Sequence, residues 1–199
     1  MVINIPVYHR AFVPLWFKYV FLFRTYIIPG CFMATIFVTK RLRVRHFTSM
    51  DADNYFALQG NADVMQYIRL PKTREESDTF LQEKILTTSP RDFKGYWVVE
   101  EKDSRVFVGC FVIIPIPDDI EKTQLGYSFL PEHWGKGFAS EVTKEGVNYF
   151  YNRTPLTEIY GVTETPNIAS QKVLLKAGFK QVESKWEGEK ELLVFIIKR

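Results

Sequence analysis

The sequence predicts an α/β (α+β) domain in which helices and a mixed sheet form one unit, and three observations support this. Helical segments with capping patterns come first, at about 48–87, and strand-like segments follow Pro90. Strand and helix then alternate from 123 to 178. A helix joining two strands is the usual connection between parallel neighbours. We therefore expect a parallel pair formed by the strands at 123–130 and 158–164.

Length and composition fit a single soluble domain. The chain has 199 residues, of which 46% are apolar and 25% are charged, as is ordinary for a globular protein that buries its own core. Its two cysteines, Cys31 and Cys110, lack the spacing of a disulfide framework or a structural zinc site. We expect no bound metal, and a cytoplasmic protein in a reducing compartment.

The charge distribution argues against nucleic acid as a partner. The net charge is +3, and residues 1–32 contain three basic residues and no acid. The rest of the chain is therefore neutral, whereas nucleic-acid-binding proteins usually have a basic excess on one face.

The segment 7–32 differs in composition from everything that follows, since it is rich in aromatic and aliphatic residues. Pro14 and two charges inside the apolar run argue against a transmembrane helix, and no small-residue cleavage site follows. Three interpretations remain: an interfacial basic-aromatic anchor, an added element that packs on the domain, or translated sequence upstream of a true start at Met33. We favour the last, which makes 1–32 an extension and 33–199 the single domain.

The elements of this domain are predicted in order from local patterns. Residues 39–47 alternate as a strand does, and the capping patterns at Thr48 and Thr73 each open a helix, with a short helix at 61–68 between them. The later elements are a hairpin of strands at 94–101 and 105–114, a loop at 115–122, a strand at 123–130, a helix from about Lys136 to Tyr151, a strand at 158–164, a helix at 167–178 that ends at Gly178, and a final hairpin that turns at Glu187 and Gly188.

The junction "FLPEHWGKGFASE", residues 129–141, is the candidate ligand site. Two glycines, Gly135 and Gly137, lie where a strand passes into a helix. The N-terminus of a helix has N–H groups without intrahelical partners and a partial positive charge, and glycine lets a ligand approach the backbone. The pattern is therefore typical of a phosphate site, although a tight turn without a ligand has the same pattern.

Several better-known motifs do not fit. Gly137 follows Lys136 where a P-loop needs Ser or Thr, and Ser140 stands where the dinucleotide fingerprint needs Gly or Ala. "GYSFL" lacks the closing glycine of a nucleophile elbow. The three histidines are scattered, so neither a metal site nor a Ser-His triad is indicated.

The segments "LGYSFLPEHWGKGFASE" (125–141) and "NIASQKVLLKAGF" (167–179), in this order and spacing, resemble the GNAT superfamily of acetyl-CoA-dependent N-acetyltransferases. Within it the chain is most similar to the branch of ribosomal-protein N-terminal acetyltransferases, with further similarity at 39–47 and 63–81. The resemblance covers the body of the chain. It implies a mixed, mostly antiparallel sheet of six to seven strands, splayed at a central parallel pair, with helices on both faces.

The resemblance also implies how acetyl-CoA, the co-substrate, is held. Phe129 and Leu130 would offer backbone groups to the pantetheine arm between the splayed strands, and Asn167 would hydrogen-bond to it. Trp134 would anchor the turn, and the Lys136 side chain is either a charge contact or a solvated lysine. The residues expected to wrap the pyrophosphate with main-chain N–H groups are His133, Trp134, Gly135, Lys136, Gly137, Phe138, Ala139 and Ser140.

For catalysis the resemblance places Ser170 near the sulfur of CoA, as the group that protonates the leaving thiolate. A strand N–H near Phe129 would polarise the thioester carbonyl. Helix capping by Asn167 is an alternative that is compatible with both roles. Relatives often have a glutamate as general base where Gln124 stands, and glutamine cannot take a proton.

The sequence alone does not identify the general base, the acceptor amine or the oligomeric state. Glu164, Glu121 or water could accept the proton of the amine, and Tyr127 could line the acceptor pocket or belong to the core. The acceptor is a primary amine, either a protein N-terminus or a small molecule, and Asp118, Asp119 and Glu121 could attract it. A monomer or homodimer is expected, with membrane contact only through 1–32. The alternative function is a GNAT-fold module that binds acyl-CoA without turnover.

Overall fold

The computed structural model describes residues 35–89, 91–117 and 119–199, which belong to a compact unit spanning Met33–Arg199. The predictions made for residues 1–32 and for Asp118 lie outside the described residues. In the part of the chain that is described, no helix combines the length and the apolarity needed to cross a bilayer.

In the described part of the chain, eight strands form one sheet in the order β1-β2-β3-β4-β5-β6-β8-β7. The prediction of six to seven strands was therefore too low. The strand expected over 39–47 is preceded by a separate strand, and the two pair antiparallel. The strands are β1 Thr35–Val38, β2 Leu42–His46, β3 Gly95–Glu101, β4 Phe107–Ile116, β5 Asp119–Phe129, β6 Glu158–Glu164, β7 Lys180–Glu187 and β8 Lys190–Lys198.

The helices agree with the capping patterns in the sequence. They are α1 Ala52–Gln59, α2 Ala62–Met65, α3 Arg74–Phe80, α4 Phe138–Arg153 and α5 Ile168–Lys176. The Thr73 hydroxyl accepts from the N–H of Glu76, whose carboxylate accepts from the N–H of Thr73, so the capping box at α3 is confirmed. A π-helical turn over Leu81–Ile85 extends α3.

One strand pair is parallel, as predicted. β5 and β6 share a single register pair, Gln124 with Tyr160. β6 instead pairs along its whole length with β8, from Glu158 with Lys198 to Glu164 with Leu192. Beyond Gln124 and Tyr160 the two parallel strands separate, which leaves a V-shaped cleft between their carboxyl ends.

The helices cover both faces of the sheet, as the resemblance implied. On one face α4 and α5 bury Val142 and Leu174 against Leu125 and Phe129 of β5. On the other face the segment from α1 to the π-helical turn packs on β3 and β4, with buried residues that include Tyr55, Leu58, Leu81, Val98 and Cys110. Side chains alternate along a strand, so Gly126, Ser128 and Leu130 lie on this second face, and Leu130 packs there.

A buried ion-pair cluster fixes the start of α1 to the sheet. Arg45 of β2 is 5% exposed, and its guanidinium donates to Asp51 and to Glu100 of β3, each at 2.7 Å. The N–H of Thr48 donates to the same Asp51 carboxylate at 2.8 Å. Since removing one member of a buried pair strands the other, this cluster holds the α1 segment in a set position.

The loop predicted over 115–122 was wrong. β4 continues to Ile116 and β5 begins at Asp119, so the prolines of "PIPDD" lie at a tight hairpin with a register shift at Pro115 and Ile116. The predicted end of α5 is confirmed: Gly178 has φ 95°, and the N–H groups of Gly178 and Phe179 donate to the carbonyls of Leu175 and Leu174, as in a Schellman motif.

Candidate active site

The Gly-Lys-Gly junction lies at the mouth of the cleft. After β5 the chain makes a 3₁₀ turn at Pro131–His133, and Gly137, in the left-handed conformation with φ 80°, is the N-cap of α4. The first hydrogen bond inside α4 runs from the N–H of Glu141 to the carbonyl of Gly137. The N–H groups of the preceding helical residues therefore have no intrahelical acceptor, and glycine has no side chain to cap them.

The two glycines keep this helix start open. Gly135 has φ 71°, and a Cβ built there would meet nothing within 4 Å. A Cβ at Gly137 would meet only Nη2 of Arg41, at 3.6 Å. Positive φ accounts for glycine in the turn, and the free space above the N–H groups fits an anionic ligand that approaches the backbone. The residues present therefore suit the pyrophosphate of a CoA molecule.

Arg41, which the sequence did not single out, braces this loop. Its Nη1 donates to the carbonyl of Lys136 at 3.0 Å, and its guanidinium forms a salt bridge of 2.7 Å with Glu141 of α4. It also lies over the ring of Phe138, 4.7 Å from the centroid. Burial alone would raise the pKa of Glu141, but the hydrogen bonds from Thr39 and Arg41 outweigh it and lower that pKa. The carboxylate is thus charged and holds Arg41 against the loop.

The end of β5 is held by Trp134. Its indole N–H donates to the carbonyl of Phe129 at 2.7 Å, although the ring itself is 51% exposed. Trp134 therefore holds the turn by one hydrogen bond rather than by burial. The side chains of His133 and Phe138 are buried beneath the loop, and those of Lys136 and Trp134 are exposed.

The backbone groups of Phe129 and Leu130 differ in availability. The N–H of Leu130 donates to Val108 of β4, and its carbonyl accepts from His133. In an antiparallel ladder successive residues point their N–H and C=O groups to opposite sides, so the N–H of Phe129 points away from β4 toward the cleft. Of the two residues predicted to pair with a ligand, Phe129 is in the better position.

Ser170 lies across the cleft from β5. Its Oγ is 3.1 Å from the hydroxyl of Tyr127, which is also 3.3 Å from the Ser170 carbonyl. Burial raises the pKa of Tyr127 to about 12, although the hydrogen bond with Ser170 opposes the rise. Two protonated hydroxyls therefore adjoin each other inside the cleft at neutral pH.

Asn167 is the N-cap of α5, since its Oδ1 accepts from the N–H of Ser170 at 3.1 Å. This confirms the capping role considered from the sequence. It also fixes the first turn of α5, and with it the position of Ser170. The donor amide of Asn167 is not used in this contact.

The carboxylates considered as bases are not gathered at the cleft. Glu164 forms a salt bridge with Lys190, and Glu121 is exposed on β5. The amide of Gln124 donates to the carbonyl of Pro115 at 3.4 Å. Among the described residues, no group of three or more His, Cys, Asp or Glu side chains is arranged to hold a metal ion.

The structure thus brings together the residues from 129 to 140 at one end of the cleft and places Ser170 with Asn167 on its other wall. It adds Arg41, and it places Tyr127, which the sequence left open between the acceptor pocket and the core, beside Ser170 and on the same face of β5 as Leu125 and Phe129. No local pattern pointed to Arg41, since it lies between two strands far away in sequence.

Known proteins with the same organisation confirm the resemblance seen in the sequence. Residues 41–180 match the family described as the Acetyltransferase (GNAT) domain. An uncharacterized N-acetyltransferase of Bacillus subtilis (strain 168), YoaA, is 31% identical over 150 residues, which are 75% of this chain and 85% of that protein.

Solved structures share the fold at lower identity. Spermidine N-acetyltransferase from Vibrio cholerae, in complex with CoA and spermine, has a TM-score of 0.67 and 20% identity, covering 79% of this chain and 95% of its own. RimL, a ribosomal-protein α-N-acetyltransferase in complex with CoA, has a TM-score of 0.68 and 17% identity, covering 82% and 97%. The splayed sheet, the open start of α4 and the family match lead to one conclusion: the chain belongs to the GNAT acetyltransferase family.

Proposed function

We propose that the protein is an acetyl-CoA-dependent N-acetyltransferase that moves the acetyl group directly to a primary amine while both substrates are bound. The observation that carries the proposal is the start of α4, where free N–H groups and two glycines with positive φ open onto the mouth of the splayed strands. The CoA in the two solved neighbours named above supports the same choice of co-substrate.

In this proposal the pyrophosphate lies against the N–H groups of Gly137 to Ser140, and the pantetheine arm lies between β5 and β6. Trp134 and Arg41 keep the loop in place from either side. Acetyl-CoA supplies an acetyl thioester whose sulfur leaves as a thiolate. The N–H of Phe129, which points into the cleft, polarises the carbonyl that the amine attacks.

Ser170 is the proton donor for the thiolate. Tyr127 can donate to the carbonyl of Ser170, which leaves the Ser170 hydroxyl free to turn its proton toward the sulfur. The C–N bond forms and the C–S bond breaks, and the sulfur takes the proton. Tyr127, which is protonated at neutral pH, then restores the proton on Ser170 and regains its own from the water that accepts the amine proton.

The amine loses its own proton to water. The glutamine at position 124 cannot accept a proton, and the salt bridge of Glu164 with Lys190 keeps that carboxylate occupied. Water is therefore the acceptor that needs no rearrangement of the cleft. The acidic segment considered as an amine attractant is partly neutralised, because Asp119 forms a 2.9 Å salt bridge with Lys122.

Thermal unfolding with acetyl-CoA, CoA, ATP and NAD tests the proposal, together with the release of CoA thiol on a panel of amines. A ligand at a hundred times its dissociation constant stabilises by about 2.7 kcal/mol. We expect acetyl-CoA and CoA to stabilise the protein, whereas ATP and NAD do not. We also expect sustained thiol release with at least one amine. Stabilisation without release on any amine would favour the acyl-CoA-binding module, for which the glutamine at 124 is the supporting observation. No stabilisation by either CoA species would contradict both.

A further inference from the structure

The face of the sheet opposite α4 and α5 carries a cation that the proposed reaction does not use. Arg69 follows α2, and its guanidinium hydrogen-bonds the amide oxygen of Gln59 in α1. Gln59 is buried, whereas Arg69 is exposed, so the bond fixes the guanidinium while leaving it accessible to a ligand.

The groups around Arg69 are neutral. Burial raises the pKa of three groups on this face, and the charge of Arg69 opposes the rise in each; the groups are Tyr55, Tyr96 and Cys110. These three and Arg69 form what we call the Arg69 cluster. The Tyr55 hydroxyl is buried and, among the described residues, has no hydrogen-bond partner of ordinary geometry, although it faces the guanidinium.

No carboxylate compensates the guanidinium. Within residues 35–89, 91–117 and 119–199, Arg69 takes part in no salt bridge, and the polar groups that its guanidinium meets, the Gln59 amide and the Tyr55 hydroxyl, are uncharged. Arg74, five residues further on, differs in that it pairs with Asp53 and Asp78. An accessible guanidinium over a neutral floor favours an anionic ligand, and its planar fork suits a carboxylate.

Strand register places the Arg69 cluster beside the reaction centre. Cys110 of β4 is directly opposite Ser128 of β5, and Tyr96 of β3 is one strand further away, in the row of Val112 and Gly126. Ser128 directly precedes Phe129, whose N–H points into the cleft. Since neighbouring strands are about 4.8 Å apart, the two strand residues of the cluster, Cys110 and Tyr96, lie about 5 Å and about 10 Å from β5.

The segment around Arg69 is suited to contact a ligand. Ile68 and Leu70, on either side of it, are 49% and 87% exposed. They place exposed apolar surface next to the cation.

We propose that Arg69 selects the acceptor, which is an amine that also bears a carboxylate. This rests on the proposed function. A guanidinium matches a carboxylate, and a polyamine would meet charge repulsion at the same place. Peptide N-termini followed by an acidic residue and short ω-amino acids are acceptors of this kind.

The test compares ε-aminocaproate with its neutral amide, which has the same chain and the same amine. On the full chain with saturating acetyl-CoA, we expect the KM for the carboxylate to be at least tenfold lower, with similar kcat. Arg69→Ala should abolish the preference by raising the KM for the carboxylate alone. Arg69→Lys should restore part of it, and Arg153→Gln, an exposed arginine at the far end of α4, should change nothing.

Binding provides a second measurement that does not need turnover. With CoA saturating, ε-aminocaproate should stabilise the protein against thermal unfolding more than its amide does, and Arg69→Ala should remove the difference. The proposal would be overturned if ε-aminocaproate and its amide had equal effects in both assays, or if Arg69→Ala weakened the response to both compounds equally. It would also be overturned if spermidine were the better substrate. Its failure is distinct from that of the proposed function, because stabilisation by CoA itself would be intact.

Discussion

The start of α4 and the Arg69 cluster are built in different ways. At α4 the groups offered to a ligand belong to the main chain, and the side chains there either brace the loop, as Arg41 does, or are absent, as at Gly135 and Gly137. At the Arg69 cluster the groups are side chains from α1, the segment after α2, β3 and β4. A backbone site can be kept while sequences diverge, and a side-chain site can change with each substitution.

This difference explains how one fold can keep its donor and change its acceptor. The two solved neighbours have CoA in common but differ in acceptor, since one is a spermidine and the other a ribosomal-protein acetyltransferase. Both are under 25% identical to this chain.

The largest effect that would test the comparison is expected at Gly135. Gly135 and Gly188 are matched, with φ 71° and 60° and no atom within 4 Å of an added Cβ. Alanine at either position should cost about 1–2 kcal/mol of folding free energy through backbone strain. We expect Gly135→Ala alone to raise the dissociation constant of CoA at least tenfold, because its methyl group enters the ligand space.

Calorimetric titration with CoA and thermal unfolding of both variants separate the two contributions. Equal CoA affinity in the two variants would mean that the glycine is needed only for the turn.

A smaller effect, confined to chemistry, is expected at Ser170. Ser170→Ala removes the hydroxyl that adjoins Tyr127 but keeps the N–H that Asn167 caps. Turnover should fall at least tenfold while the affinity for acetyl-CoA changes less than twofold, measured by thiol release and by titration. Ser184→Ala, on the exposed strand β7, serves as the control. Unchanged turnover would remove Ser170 from the mechanism.

The smallest expected effect concerns pH: kcat/KM should not decline at alkaline pH. The pKa of Tyr127 is raised to about 12 by burial, against the opposing hydrogen bond from Ser170, so the proton it supplies is retained at every pH below that value. With water accepting the amine proton, kcat/KM should rise between about pH 7 and 10 as the acceptor deprotonates, and should not decline. A pH–rate profile that falls near pH 8.5 would indicate a different acid.

The sequence was most informative where a structure depends on local chemistry. The capping boxes at Thr48 and Thr73, the Schellman end at Gly178 and the strand-to-helix glycines each act over a few residues, so their pattern is visible in the chain. The splayed sheet was predicted from the resemblance to the GNAT superfamily.

What the sequence did not predict depends on contacts between distant segments. The prolines at 115–122 predict a loop, because proline usually interrupts a strand. The structure instead forms a hairpin there and accommodates Pro115 at a register shift. Tyr127 and Ser170 are 43 residues apart, and Arg41 reaches a loop 95 residues later. No local pattern records such contacts.

The single register pair of Gln124 with Tyr160 has a mechanical consequence. Five strands lie on one side of this contact and three on the other, and the hydrogen-bond ladder across the boundary is one rung long. A ligand whose amides lie between β5 and β6 supplies the missing rungs. Under the proposed function the co-substrate therefore acts as a temporary strand, which lengthens the one-rung connection between the two parts of the sheet while the protein is loaded.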